Sequence, residues 1–245
     1  MGQVTFEKKY QMIDSNEILD YPVVAGEELH ERTEFFRRTY GHVAGAFLVF
    51  LVLEYIFLST PAIVQLGLSM LSGYTWLIVL GLFMLVTTQA EKIVARTQNK
   101  MKQYTGFLIY IAAQAFIFVP LMYVALAQLG PNVLGQAFLV TIGLFAGLTA
   151  VVFITKKDFS FMRSIIVIGG IIAMCLIVAG IIFGFNLGLW FSGAMVLLAG
   201  GSILYQTSNM IHVYSKDQYI LASLGLFASF MLLLWYIIRI FLSRD

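Results

Sequence analysis

Charge is what this chain has least of. Only 11% of its 245 residues are Asp, Glu, Lys or Arg, against about a quarter in soluble domains. That density cannot clothe a soluble surface. With 60% hydrophobic residues and a mean hydropathy of +0.89, the chain belongs to the bilayer class. It has one cysteine, Cys175, which excludes an intrachain disulfide and any CxxC metal or redox site. Lying in an apolar run, Cys175 reads as inert core. HExxH, GxSxG and a glycine-rich phosphate loop are missing as well. No Asp lies within an apolar span, and His30, His42 and His212 stand at span entries or in a turn. The pairs that an intramembrane protease needs are therefore absent, and the reading is a non-enzyme without a cofactor. The net charge is +2 with the basic residues in loops, which gives no nucleic-acid footprint. Residues Met1 to Ala25 lack an apolar h-region, so no cleavable signal peptide is expected.

What the chain does have is long apolar runs. Residues 1–40 read as a polar, mixed-charge leader, irregular over Asp14 to Tyr21. It closes with a short surface helix in which Glu27, Glu28, Glu31 and Glu34 precede Arg37 and Arg38. Residues 41–243 read as a transmembrane domain of seven spans: 41–59, 74–88, 106–128, 134–155, 164–185, 187–206 and 219–238. The second is short, and residues 66–73 are expected to extend it. Asn186 and Gly188 leave room only for a tight hairpin between the fifth and sixth. The fold class is thus all-α, an integral membrane bundle.

Lysine and arginine set the orientation. Basic residues precede the first span (Arg32, Arg37, Arg38), follow the second (Lys92, Arg96, Lys100, Lys102), follow the fourth (Lys156, Lys157, Arg163) and follow the sixth (Lys216). The intervening loops carry no charge. The alternation predicts a cytoplasmic N-terminus in a bacterial plasma (inner) membrane, with Arg239 and Arg244 running against it.

The last sixth, from Gly201, pairs two apolar spans around a polar turn, Thr207 to Gln218. Ala222, Gly225 and Ser229 form a small-residue stripe on the final span, of the kind that lets another backbone approach. Ser192, Ala199, Ser202 and Gln206 repeat the spacing on the preceding one. Gly41/Gly45 and Gly143/Gly147 are further small-residue pairs. Glu54 is the one acid well inside an apolar span, where an ionisable group is costly and marks an ion or proton contact or a buried interhelical bond. Gln114 in the third span reads as interhelical glue.

The run Gly147-Leu148-Thr149, followed by Thr155-Lys156-Lys157-Asp158-Phe159-Ser160-Phe161, closely resembles the signature of the Bax inhibitor (TMBIM) family. The stretches ILYQTSNMI and LASLGLFASFMLLLWYIIRIF are similar to that family's last two helices. The resemblance covers roughly residues 35–243. It implies a seven-helix bundle with the last helix at its centre. In bacterial members it implies a plasma-membrane protein with a pH-dependent calcium leak, while some relatives bind and modulate the membrane protease FtsH. The leak is latched in the family by two aspartates that share a proton. The matching positions here are Gln206 and Ser229, which have no proton to trade near neutrality. The signature loop reads as a structural dock through Asp158, with Lys156 and Lys157 facing anionic lipid as the alternative.

Three functions remain: a pH-insensitive leak for calcium or protons, an accessory subunit of a larger membrane assembly such as a protease or respiratory complex, and a lipid or small-molecule bundle. Calcium wants six to eight oxygens, usually with several carboxylates, so a site built from Gln206, Thr207, Ser229 and Glu54 would be weak.

The topology is open to direct test in a Cys175→Ala background. With an impermeant thiol reagent on intact cells, Asn132→Cys should label and Asn99→Cys and Ser160→Cys should not. Labelling at position 99 but not at 132 would invert the orientation.

Overall fold

A computed structural model describes residues 29–71 and 74–243. The parts of the leader before residue 29, and Arg244 with Asp245, lie outside the described residues. All regular structure among the described residues is helical: α1 (Leu29–Leu58), α2 (Pro61–Met70), α3 (Thr75–Arg96), α4 (Lys100–Thr155), α5 (Met162–Phe183), α6 (Gly188–His212) and α7 (Tyr219–Leu242), with a 3-10 turn at Lys216–Gln218. Helices are what the solvent dictates. Lipid offers the backbone no hydrogen bonds, so each segment must satisfy its own.

Seven apolar passes are present among the described residues, because α4 is two of them. It is 56 residues long and breaks at Gly130, whose φ of 73° and ψ of 171° leave the helical region. Only a residue without Cβ adopts that conformation freely. Pro131 follows, and at the first position of a new helix its missing N–H costs nothing. The loop expected between the spans 106–128 and 134–155 is thus reduced to one residue.

Three other boundaries differ from the sequence reading. Residues 66–70 do not extend the second span; they belong to α2, which starts at Pro61 and is too short to cross a bilayer. The mixed-charge stretch before residue 40 is continuous with the first span as α1, whose 30 residues reach about 45 Å. Helix α6 carries on to His212, so Thr207, Ser208 and Asn209 are buried helix and not a solvated turn. The connection to α7 shrinks to residues 213–218. Lys216 there pairs with Glu31 of α1 at 2.8 Å.

Helix α7 is the axis. Of its most apolar 18-residue stretch, 72% is buried, against 11% for α5. It packs on α1, α3, α4 and α6, whereas α5 packs on α6. Rings from both limbs of α4 and from α1 close edge-on around it: Phe107 on Phe227, Phe145 and Phe47 on Phe230, and Phe118 on Trp235. Such pairs add about 0.5–1.5 kcal/mol each beyond burial in water-soluble cores. Ser223 Oγ of α7 donates to the Thr39 carbonyl of α1 at 3.0 Å. Cys175 is exposed on α5, so it faces outward and is not core.

The α3–α4 seam makes a stability prediction. A Cβ at Gly106 would stand 3.0 Å from the Ala90 carbonyl oxygen and 3.0 Å from Val94 Cγ2. Backbone cannot swing aside, so Gly106→Val should destabilise by about 1–3 kcal/mol. At Gly143 a Cβ meets nothing within 4 Å, and Gly143→Val should be nearly neutral. Unfolding of both variants in mixed micelles would check the contrast.

Candidate functional site

Because α5 leans on α6 and α3 leans on α4, a cleft of about 1180 Å³ opens between the two pairs, floored by α7. Its lining runs from Glu91, Lys92, Arg96 and Tyr214 at the basic end to Trp76, Asn186 and Arg239 at the other. Gln114, Ser202, Gln206, Gly225 and Ser229 lie along it. Toward the Arg239 end Trp76 stacks on Trp235 with centroids 6.2 Å apart, and Phe118 meets Trp235 edge-on. Oxygen-bearing groups thus gather in the basic half and the middle, and aromatic rings narrow the rest.

At the α6–α7 seam the two candidate latch residues each find another partner. The Gln206 amide lies on Gly225: a Cβ there would come within 2.7 Å of Oε1 and 2.8 Å of Cδ. Tyr214 OH donates to Gln206 Oε1 at 3.4 Å. Burial, then the charges of Tyr205 and Glu91, raise the Tyr214 phenol above its ordinary range, so it remains a donor at any physiological pH. Ser229 Oγ donates to the Gly225 carbonyl at 2.9 Å, which leaves it to accept from Ser202 Oγ at 2.7 Å. The two positions where the resemblance implies a paired latch are therefore not paired with each other: Ser229 bonds to Ser202 instead. Two levels result, one helical turn apart: Gln206 with Gly225, and Ser202 with Ser229. Of the small-residue stripe, Gly225 and Ser229 meet α6, and Ala222 is buried in the core.

Glu54 is not brought to this seam. It is buried on α1, with both carboxyl oxygens lacking a hydrogen-bond partner. Its helical neighbours Phe50 and Phe57 pack edge-on against Phe118 and Phe116 of α4. No α1 residue lines the cleft. Glu91, by contrast, lies beyond residue 88, where hydropathy alone ends the second span; helix α3 runs on to Arg96 and carries Glu91 into the cleft mouth. The length rule for a membrane span, applied to residues 75–96, is the signal that finds it.

The signature loop works as a clamp at the basic end. Thr155 closes α4, and Lys156 takes the left-handed conformation (φ 52°) as its C-cap. Asp158 Oδ1 accepts from the Ser160 N–H at 2.8 Å, turning the chain into α5. The Phe159 N–H donates to Ser208 Oγ of α6 at 2.9 Å. Lys156 and Lys157 are exposed. Among the described residues, no group of three His, Cys, Asp or Glu could hold a metal.

The family described as inhibitor of apoptosis-promoting Bax1 matches residues 32–245. The chain belongs to this Bax inhibitor family. Bax inhibitor 1 of Schizosaccharomyces pombe is 24% identical to it over 214 residues, 85% of this chain and 76% of that protein. The protein named modulator of FtsH protease YccA, of Escherichia coli, is 31% identical over 145 residues, 58% of this chain and 63% of its own length. A Pseudomonas aeruginosa protein is 33% identical over 138 residues, 56% and 60%. The matched segment thus spans about three fifths of each of these two bacterial relatives. Seven apolar passes among the described residues, with α7 at their centre, fit this Bax inhibitor membership, and the chain is a multi-pass membrane protein.

The Gln206–Gly225 contact predicts a coupled pair. Gly225→Val should destabilise the bundle by crowding the amide. Gln206→Ala should relieve part of that loss, with a coupling of about 0.5–3 kcal/mol in a double-mutant cycle measured by unfolding in mixed micelles. Strict additivity would mean that the two side chains do not meet.

Proposed function

We propose that this Bax-inhibitor-family protein is a slow cation leak that follows the cleft and is closed by neutral hydrogen bonds instead of a shared proton. The observation that carries the reading is the α6–α7 seam. It lies on the cleft, and its groups are an amide and two hydroxyls where the family resemblance implies a carboxylate pair. Glu91 is the carboxylate on the cleft, and the oxygens of Gln114, Ser202, Gln206 and Ser229 supply neutral ligands beside it. One carboxylate holds calcium weakly, which suits passage better than storage. Intramembrane hydrogen bonds average about 0.6 kcal/mol, so closure rests mostly on the tight fit of Gln206 on Gly225. We place the basic end in the cytoplasm by the loop charges, with the N-terminus on that side in a bacterial inner membrane. On this reading Glu54 is a secondary ion or proton contact, set apart from the path.

A second reading has its own support. The Escherichia coli relative is named a modulator of FtsH protease, and α5 exposes Ile165, Ile168, Ile171 and Ile172 outward. A non-conducting accessory subunit that binds a membrane protease or another assembly through such a face accounts for those features.

Calcium entry into liposomes with a trapped dye separates the two. The leak of the wild-type chain should change little between about pH 6 and 8, the range in which close carboxylates titrate and amides do not. Gln206→Asp with Ser229→Asp should create a pH-sensitive leak, since positions one helical turn apart place the carboxylates within coupling range. Steep pH dependence in the wild type that Glu91→Gln or Glu54→Gln abolishes would make that residue the switch. A folded double variant that stays silent at every pH, alongside a silent wild type, would favour the accessory subunit.

A further inference from the structure

A second cavity, about 430 Å³, lies on the opposite side of the bundle between α1 and the first limb of α4. Arg37, Arg38, His42 and Tyr104 stand at its mouth, and Val49, Leu108 and Ile111 line its depth. It exists because α1 carries glycine at 41 and 45 on this face. A Cβ at either position would meet nothing within 4 Å, so this pair packs against no helix of the bundle, contrary to the packing role its spacing suggests.

The mouth and the depth differ in chemistry. His42 Nδ1 donates to the Arg38 carbonyl at 2.7 Å, so Nε2 accepts from Tyr104 OH at 2.9 Å. The Arg38 guanidinium pairs with Glu34 and lies 5.5 Å from the centre of the Tyr219 ring. Arg37 is exposed and has no ion-pair partner among the described residues. One uncompensated cation therefore stands over an apolar groove that opens sideways, with Leu108 53% and Val49 38% exposed. Both helices run inward from the basic end. Arg38 to Val49 is about 16 Å along α1, close to half of the ~30 Å hydrocarbon thickness. A free anion would use the mouth and leave the groove empty; a helix would need no cation.

We propose that this groove is a binding site for one anionic phospholipid, its phosphate on Arg37 and one acyl chain lying along Gly41, Gly45 and Val49 against Leu108 and Ile111. A basic residue at the surface favours an anionic headgroup by about fivefold. Bound here, the lipid braces α1 against α4 from the side away from the cleft, and it does so whether or not the cleft conducts.

Native mass spectrometry of the full chain, incubated with equal phosphatidylglycerol and phosphatidylcholine, tests this. The wild type should retain phosphatidylglycerol preferentially. Arg37→Gln should lower that preference about fivefold. Gly45→Leu, whose Cβ meets no atom within 4 Å and whose branch fills the groove, should cut retention of both lipids without lowering the unfolding temperature in lipid-free micelles. An unaltered lipid ratio in Arg37→Gln would overturn the headgroup assignment. Equal lipid retention in Gly45→Leu would overturn the acyl groove. Inorganic phosphate that binds alone and displaces the lipid fully would make the mouth a site for free anions. A lipid-free dimer that Gly45→Leu dissolves would assign the groove to a second copy and sink the proposal.

Discussion

Everything in this bundle depends on how closely other helices can approach α7. In lipid, apolar side chains gain little by leaving one hydrocarbon environment for another, so helices hold together through tight packing and the few hydrogen bonds between them. Helix α7 supplies both. Its large residues, Phe227, Phe230 and Trp235, take rings from α1 and α4 edge-on. Its small ones, Gly225 and Ser229, let α6 come near enough for an amide to rest on bare backbone. A helix so enclosed leaves its neighbours to divide into those that touch it and those that do not.

That division produces the cleft. Helix α5 reaches the bundle through α6, and α3 reaches it mainly through α4. Nothing fills the space between them, and the polar groups of the α6–α7 seam line it as a consequence of the close approach that excludes bulk there. The same logic in reverse explains the groove beside α1. Gly41 and Gly45 resemble a packing pair by spacing, yet the aromatic face of α1 that carries Phe47 and Phe50 is the one turned to α4 and α7. The glycines are left with open space, and Arg37 is left above it.

The polar inventory at the seam also bears on energetics. Two hydroxyls and an amide need no change of charge to stay bonded, and Tyr214, buried and neutral, completes the Gln206 end. An arrangement of this kind has one protonation state across the physiological range. The seam itself therefore offers no group that titrates in that range, and the helix held by the fewest neighbours beside it is α5, which packs chiefly on α6. The acids stand apart from the seam: Glu54 is buried on α1 without a hydrogen-bond partner, and Glu91 lines the cleft from α3.

Composition and loop charge were enough to place the chain in a bilayer and to find seven passes, because hydropathy over about twenty residues is a local property that lipid enforces. The signature around Lys156 to Phe161 was legible for a similar reason: a left-handed cap, an Asp turn and a helix start are written in adjacent residues. The final small-residue stripe was visible as a pattern, but its partners were not. Which residue faces Gly225, and whether Ser229 meets Gln206 or Ser202, depends on axial register between two helices, and a shift of one turn keeps the same spacing while exchanging every partner. Register, the reduction of a loop to Gly130, the burial of Thr207 to Asn209, and the open faces of Gly41 and Gly45 were decided only when the helices packed, since each depends on what lies across a gap and not on the residues on either side along the chain.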